Sequence, residues 1–279
     1  MPIHDAIIEA QKLIGRLWKE EQSPERERIL ECAGCILSFI SATGQDYRFE
    51  DFRQSQDPGR PTRVEPSHLA PTEPGAAGSA NIRELLARTR GFFAQLLAAP
   101  GATNDHGSIR LILDVVDYII LTGELVTLDE YMRRLEAGSP PPVIAAFDSQ
   151  RAAADWLERA PEPPSRAFVL IGDQYHQAVY LRDINHRKVM PWPAMEYYLA
   201  ELVQDVAPIA VASFVSSEMA ESWLKEQTEP PNRAWVMIAG EFHLAVNHAN
   251  VQRRALYPLS MADGYTINDE VEPEPSRPG

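Results

Sequence analysis

The chain has 279 residues, enough for two ordinary domains, and its 44% apolar content can supply a core for each. Its 26 Lys plus Arg stand against 40 Asp plus Glu, and the resulting charge of -14 repels phosphate backbones and anionic lipid heads, which argues against nucleic acid and membrane as partners. The two cysteines, Cys32 and Cys35, are too few and too close to form the disulfide framework of a secreted scaffold, so a reducing, cytoplasmic setting is expected.

The first residues carry acids at Asp5 and Glu9 and lack the basic start, apolar run and small-residue site of a signal peptide. Ile7, Ile8, Leu13, Ile14 and Leu17 recur at helical spacing and predict an amphipathic helix over 3–20. Ser23-Pro24-Glu25 offers a capping hydroxyl, a proline whose missing N–H costs nothing at a first turn, and an acid at the positive helix end. A second helix is therefore expected to about Ala42, closed by Gly44 in the left-handed conformation. QDYRFEDF, residues 45–52, fits a short helix or an aromatic turn equally well.

These elements define an N-terminal helical region, 1–54. Residues 55–80 hold Pro58, Pro61, Pro66, Pro71 and Pro74 among Gly, Ser and Thr, with too little apolar surface to offset the entropy of ordering, and predict a flexible linker. A second helical region, 81–139, is expected to pack with the first. Its predicted starts are Asn81 with Glu84, Ser108, and the capping box Thr127 with Glu130. Ile109 to Leu121 is apolar almost all round and suits the centre of a bundle; its 13 residues include Asp114 and Asp117 and fall short of the roughly 20 a membrane helix needs.

From here the chain is written twice. Pro141–Pro191 aligns without a gap onto Pro208–Pro258 at an offset of 67, with 19 identities over 51 pairs. Each copy reads as a strand, a helix opened by Ser149 or Ser216, a hairpin, and a further strand. Ala153, Trp156 and Leu157, matched by Ala220, Trp223 and Leu224, make one apolar stripe able to cover a sheet. Ala167, Val169 and Ile171 alternate onto one strand face and are unchanged in the second copy. The expected class is α+β: an all-helical bundle followed by two tandem strand-helix-hairpin-strand units, 140–206 and 207–262, forming mixed or antiparallel sheet. A single continuous sheet and a pairing about a pseudo-twofold axis both fit. Residues 194–206 join the copies as a short helix, and 263–279 read as a disordered acidic tail.

Candidate chemistry lies in the duplicated polar residues. His176 and His243 are equivalent, and imidazole serves acid-base work, metal ligation and hydrogen bonding within a sheet alike. His186 and His248 are not equivalent to each other, so a symmetric four-histidine site is not supported, and no metal or other cofactor is expected. Arg187 and Arg254 recur as a pair suited to a carboxylate or to the carbonyls at a helix end. The copies diverge after the hairpin, at Tyr180/Asn247, Leu181/His248, Asp183/Asn250 and His186/Arg253, a polar corner where binding is expected. Cys32 and Cys35 fall inside an apolar helical run, well past the helix start that activates a redox CxxC pair, and read as core.

No elbow, phosphate loop, dinucleotide fingerprint or zinc-protease motif occurs. The function expected is therefore non-enzymatic: an intracellular protein-binding module for a protein partner, a basic one on encounter grounds, with an immunity or inhibitor protein for a toxin as its concrete form. The alternatives are a ligand or metal sensor using the paired His and Arg residues, and an enzyme of unidentified class.

Overall fold

Amphipathic spacing gives the N-terminal half its helices. The computed structural model describes residues 3–20, 23–56, 76–99, 105–204, 206–228 and 230–265. Most of the predicted linker and nearly all of the predicted tail lie outside these. The helices are α1 (Ile3–Glu20), α2 (Pro24–Ala42), α3 (Asp46–Ser55), α4 (Ala76–Ala98), α5 (His106–Thr122) and α6 (Leu125–Glu136). Thus 45–52 resolves in favour of a helix. The near-uniformly apolar α5 buries Ile109, Leu111, Ile112, Leu113, Val115, Val116, Tyr118 and Ile119 and lies against α1, α2, α3 and α4. Burying a Leu, Ile or Val side chain fully is worth roughly 1.5–3 kcal/mol, so this helix is a main contributor to the stability of the bundle together with α2, which buries Leu30, Ile36, Leu37, Phe39 and Ile40.

Three predicted helix starts are displaced upstream. Asn81 lies inside α4, and Ser108 lies inside α5, whose N-cap is Asp105. The carbonyl of Asp105 accepts from the Ile109 amide at 2.9 Å, while its carboxylate takes the Arg16 guanidinium. Thr127 lies inside α6, whose N-cap is Glu124. Gly123, at φ 78, caps α5, and the Glu124 amide still donates to Ile119 O at 3.0 Å, so the turn between the two helices is too tight for Thr127 to begin the second. Cap preference yields there to burial of Leu125 and Leu128.

The duplicated half folds as the period-two and helical patterns require. The first copy comprises β1 (Val143–Phe147), α7 (Gln150–Arg159), β2 (Arg166–Ile171), β3 (Gln174–Leu181) and β4 (His186–Pro191). Helix α8 (Ala194–Leu202) follows, and the second copy comprises β5 (Ala212–Phe214), α9 (Ser217–Glu226), β6 (Arg233–Ile238), β7 (Glu241–His248) and β8 (Arg253–Pro258). The strands form two separate four-stranded sheets, ordered β1-β2-β3-β4 and β5-β6-β7-β8, so one continuous sheet is excluded. In the second, β5 runs parallel to β6 and the remaining pairs are antiparallel. The architecture is therefore α+β with mixed sheets. Ser216 caps α9 through a 3.4 Å bond from the Met219 amide, and Ala220 and Leu224 close a small core with Val236, Ile238 and Ala245.

The residue contacts group into two compact units. One comprises Met1–Gly138, Gln150–Phe168 and Gln177–Val189; the other comprises Ser139–Ser149, Val169–His176 and Met190–Gly279.

The hairpin turns differ between copies. Gly172 opens the first at φ 59, whereas Ala239 holds φ 51 at the equivalent place in the second, followed by Gly240 at φ 90. A side chain in that region costs roughly 1–2 kcal/mol. Ala239→Gly is therefore expected to stabilise the protein by about 0.5–1 kcal/mol, the gain being trimmed by glycine's greater freedom when unfolded. Urea unfolding followed by tryptophan fluorescence checks it, and an unchanged or lowered midpoint would refute the account.

Candidate functional site

The duplicated arginines occupy matching positions for a matching reason. Each is at the start of the last strand of its copy, where it reaches the C-terminal end of that copy's helix. Arg187 Nη1 donates to Leu157 O at 3.2 Å and to Glu158 O, and Arg254 Nη1 donates to Leu224 O at 2.6 Å and Lys225 O at 2.9 Å. The four carbonyls correspond pairwise across the repeat. A planar cation on the negative end of a helix satisfies acceptors the helix leaves open. Hydrogen bonds from a charged donor contribute about 1.5–3 kcal/mol where they are buried. Arg254→Met is thus expected to lower stability by about 1–2 kcal/mol, since the site is partly exposed. Calorimetry checks this, and a change below the scatter of replicate scans would sink it.

The duplicated histidines also share one local bond. His176 Nδ1 meets Gln174 O at 3.2 Å, and His243 Nδ1 meets Glu241 O at 3.2 Å. His176 is buried and His243 half-buried. His248 is fully buried: its Nε2 meets the Tyr257 hydroxyl at 3.3 Å, and its ring lies edge-on to Tyr175, 5.8 Å between centroids. Tyr175 in turn donates its hydroxyl to Pro141 O at 2.9 Å, and burial pushes the Tyr257 phenol up. His248 therefore sits in an aromatic seam joining the two copies. His186 is exposed. Among the described residues, no three His, Cys, Asp or Glu side chains gather as a metal site would require.

The corner after each hairpin is a 3-10 turn, Arg182–Ile184 or Ala249–Val251, closed by a left-handed residue, Asn185 or Gln252. The second corner seats on β1, where Asn250 Nδ2 donates to Val143 O at 2.5 Å and Arg253 pairs with Asp148. At the first corner, Arg182 alone is anchored. Its guanidinium forks onto Asp51 at 2.7 and 2.8 Å and lies over the Tyr47 ring, and its amide donates to the Tyr47 hydroxyl. Asp183, Ile184 and His186 beyond it face solvent. The residues singled out as one corner thus divide: Asn250 and His248 join copies, whereas Asp183 and His186 stand free on the surface.

Sequence reasoning passed over the outer strand of the second sheet. Around β5, Ile209, Val211 and Val215 are 80%, 66% and 79% exposed, and Met219 of α9 is exposed beside them. Their counterparts in the first copy are Pro142, Ile144, Asp148 and Ala152. The comparison of copies that singled out the corner reveals this apolar drift when carried back to the first strand. Val211 donates its amide to Trp235 O at 2.8 Å, so strand alternation turns the N–H and C=O of Ala212 away from β6. An open strand edge flanked by aliphatic side chains can accept another chain.

Two further groups bear on chemistry. Burial pushes the Cys32 and Cys35 thiols up to about 11, which keeps both neutral at neutral pH, Cys32 in the core and Cys35 half-buried. Buried Gln45, Asp46, Tyr118 and Glu124 form a polar cluster in the helical unit with half-buried Arg48 and Ser165. Tyr118 donates to Gln45 Oε1 at 2.7 Å and Ser165 to Asp46 Oδ2 at 2.5 Å. No linear motif announces this cluster, because its members converge from four separate segments. No helix among the described residues is long and apolar enough to cross a membrane. Compared with known families, curated proteins and solved structures, the chain matches none.

Proposed function

We propose that the chain is a non-catalytic, cytoplasmic protein-binding module whose docking surface is the β5 edge. The observation that carries this reading is the group of exposed aliphatic residues Ile209, Val211 and Val215 flanking β5, Ala212–Phe214, a strand that is outermost in its sheet. Apolar side chains beside unpaired backbone groups are costly to leave in water and are the usual furniture of a strand-addition site. The paired arginines and histidines already serve helix ends and strand carbonyls, which favours binding by shape over chemistry in a pocket. The charge of -14 speeds encounter with a basic protein, so an immunity or inhibitor protein covering a basic toxin is the concrete form of the proposal.

Val211→Asp with Val215→Asp tests it. Both positions face solvent, so the pair should leave the melting temperature within about 2 °C of the parent. Affinity capture with parent and variant, run at low and moderate salt, should return basic proteins held by the parent and lost by the variant. An identical captured set would refute the assignment of the surface.

A further inference from the structure

We propose that the contact between the two copies is an acid-sensitive latch, shut while the His248 imidazole is neutral and opened when that ring takes a proton.

The latch lies where the second corner meets the first copy. The His248 ring is wholly removed from solvent and lies edge-on to two phenol rings, Tyr175 of β3 at 5.8 Å and Tyr257 of β8 at 6.4 Å between centroids. Those phenols are themselves 4% and 2% exposed. Packing alone would favour an aliphatic side chain here, which fills such a site with no polar group to satisfy. The first copy supplies the contrast. Leu181 holds the position equivalent to His248 and is 44% exposed, and Met190 stands where Tyr257 does. Leucine is thus set in water and histidine in the core, an inversion that singles out His248 as a group kept for what a proton does to it.

Proton uptake changes both the bonding and the charge of the ring. Neutral imidazole can accept the Tyr257 O–H at Nε2, 3.3 Å from the hydroxyl oxygen, whereas imidazolium donates from both nitrogens and the phenol proton must turn elsewhere. The charge matters more. An ion without water is strongly disfavoured, and Arg253 of β8, opposite His248 in the β7–β8 register, adds a like charge nearby. Asp148, just after β1, pairs with Arg253, while Asp173 of the β2–β3 turn and Glu196 of α8 bear on the Tyr257 phenol. Imidazolium therefore gains by reaching water. It reaches water when the corner lifts from β1, giving up the Asn250 bond to Val143 O and the Arg253 pair with Asp148.

Linkage gives the direction. The open form binds the proton and the shut form excludes it, so closing is unaffected well above about pH 6.5, the ordinary histidine value, and weakens about tenfold for each pH unit well below it. Neutral solution keeps the latch shut and acid releases it.

The test is hydroxyl-radical footprinting of the full chain between pH 7.5 and 5.5, read tyrosine by tyrosine in a mass spectrometer. Exposed Tyr197 serves as the reference for radical dose, and Tyr118, at the centre of the helical core, reports any general unfolding. Oxidation of Tyr175 and Tyr257 relative to Tyr197 should rise about tenfold from pH 7.5 to 5.5 while Tyr118 stays protected. His248→Leu, which installs the residue of the first copy, should remove that rise. His248→Gln makes the same comparison if the leucine variant does not fold. Leu181→His, at an exposed position, should leave the pH profile of the parent unchanged. A parent whose two seam tyrosines stay protected at pH 5.5 would overturn the latch. An equal rise in the His248 variants would overturn it in favour of the carboxylates around Arg253, and oxidation of Tyr118 in step with the seam would reduce it to acid unfolding of the whole chain.

Discussion

Gly44→Ala is expected to cost about 3 kcal/mol and to lower the melting temperature of the helical unit by about 10 °C. Gly44 lies in the turn between α2 and α3 at φ 70, a region where a side chain alone costs roughly 1–2 kcal/mol. Space adds to the cost. An added Cβ would stand 2.5 Å from the Pro164 Cβ and 3.1 Å from Arg166 O. Neither neighbour is the free end of a flexible chain. The backbone is tied on both sides: Gln45 N donates to Ile40 O at 2.9 Å, and Ser165 N donates to Gly44 O at 2.9 Å. Relief therefore requires the whole Pro163-Pro164-Ser165 segment to withdraw, taking with it the Ser165 bond to Asp46. Removing the opposing Cβ with Pro164→Gly should recover about 1–2 kcal/mol of the loss in a double-mutant cycle, the left-handed strain persisting. Thermal and urea unfolding of the four proteins measure this, and strict additivity would show that the close approach carries no energy.

Arg48→Met should destabilise by about 2–3 kcal/mol, whereas Arg48→Met combined with Glu124→Leu should return most of that loss. Glu124 is 2% exposed and sits at the N-cap of α6, with Arg48 Nη1 at 3.5 Å from its Oε1. The same guanidinium reaches Glu162 at 3.2 Å through Nε. Taking away the cation leaves a carboxylate in a site that gives it little water, which is why the single change costs more than the pair contributes. The figure lies below the usual range for a fully buried pair because Arg48 keeps some exposure and the helix end favours an anion. Equilibrium unfolding of the two single variants and the double variant decides the matter. If the double variant were less stable than Arg48→Met, the pair would be contributing net stability and the desolvation argument would fail.

Much of the fold was legible because it rests on periodicity. The apolar surround of α5, the stripe of Ala153 and Leu157, and the alternation of Ala167 and Val169 are each set by neighbours within one element, and all of them lie in the core. Helix starts were less legible. Ser108 and Thr127 are good capping residues in isolation, but Asp105 and Glu124 hold those positions through contacts to Arg16 and Arg48, which come from other helices. The candidate site was half legible. Comparing copies picked out Asn250 and His248 as divergent and polar, yet it could not separate a residue that faces solvent from one that joins the copies, because both kinds diverge. The β5 edge was missed for a related reason: Val211 and Val215 look like ordinary strand residues in sequence, whereas the strand they flank is outermost and both are exposed.

The bond from Arg187 to the end of α7, and its twin from Arg254 to the end of α9, bear on how the chain came to be written twice. Each ties the last strand of a copy to the end of its own helix 30 residues earlier, with donor and acceptor both carried by that copy. A cut between the helix end and the last strand would leave the guanidinium without these carbonyls. Both clasps lie wholly inside the repeated stretch, which begins at Pro141 and again at Pro208. The unit that is repeated in the sequence is thus one that carries both halves of its own helix-to-strand clasp.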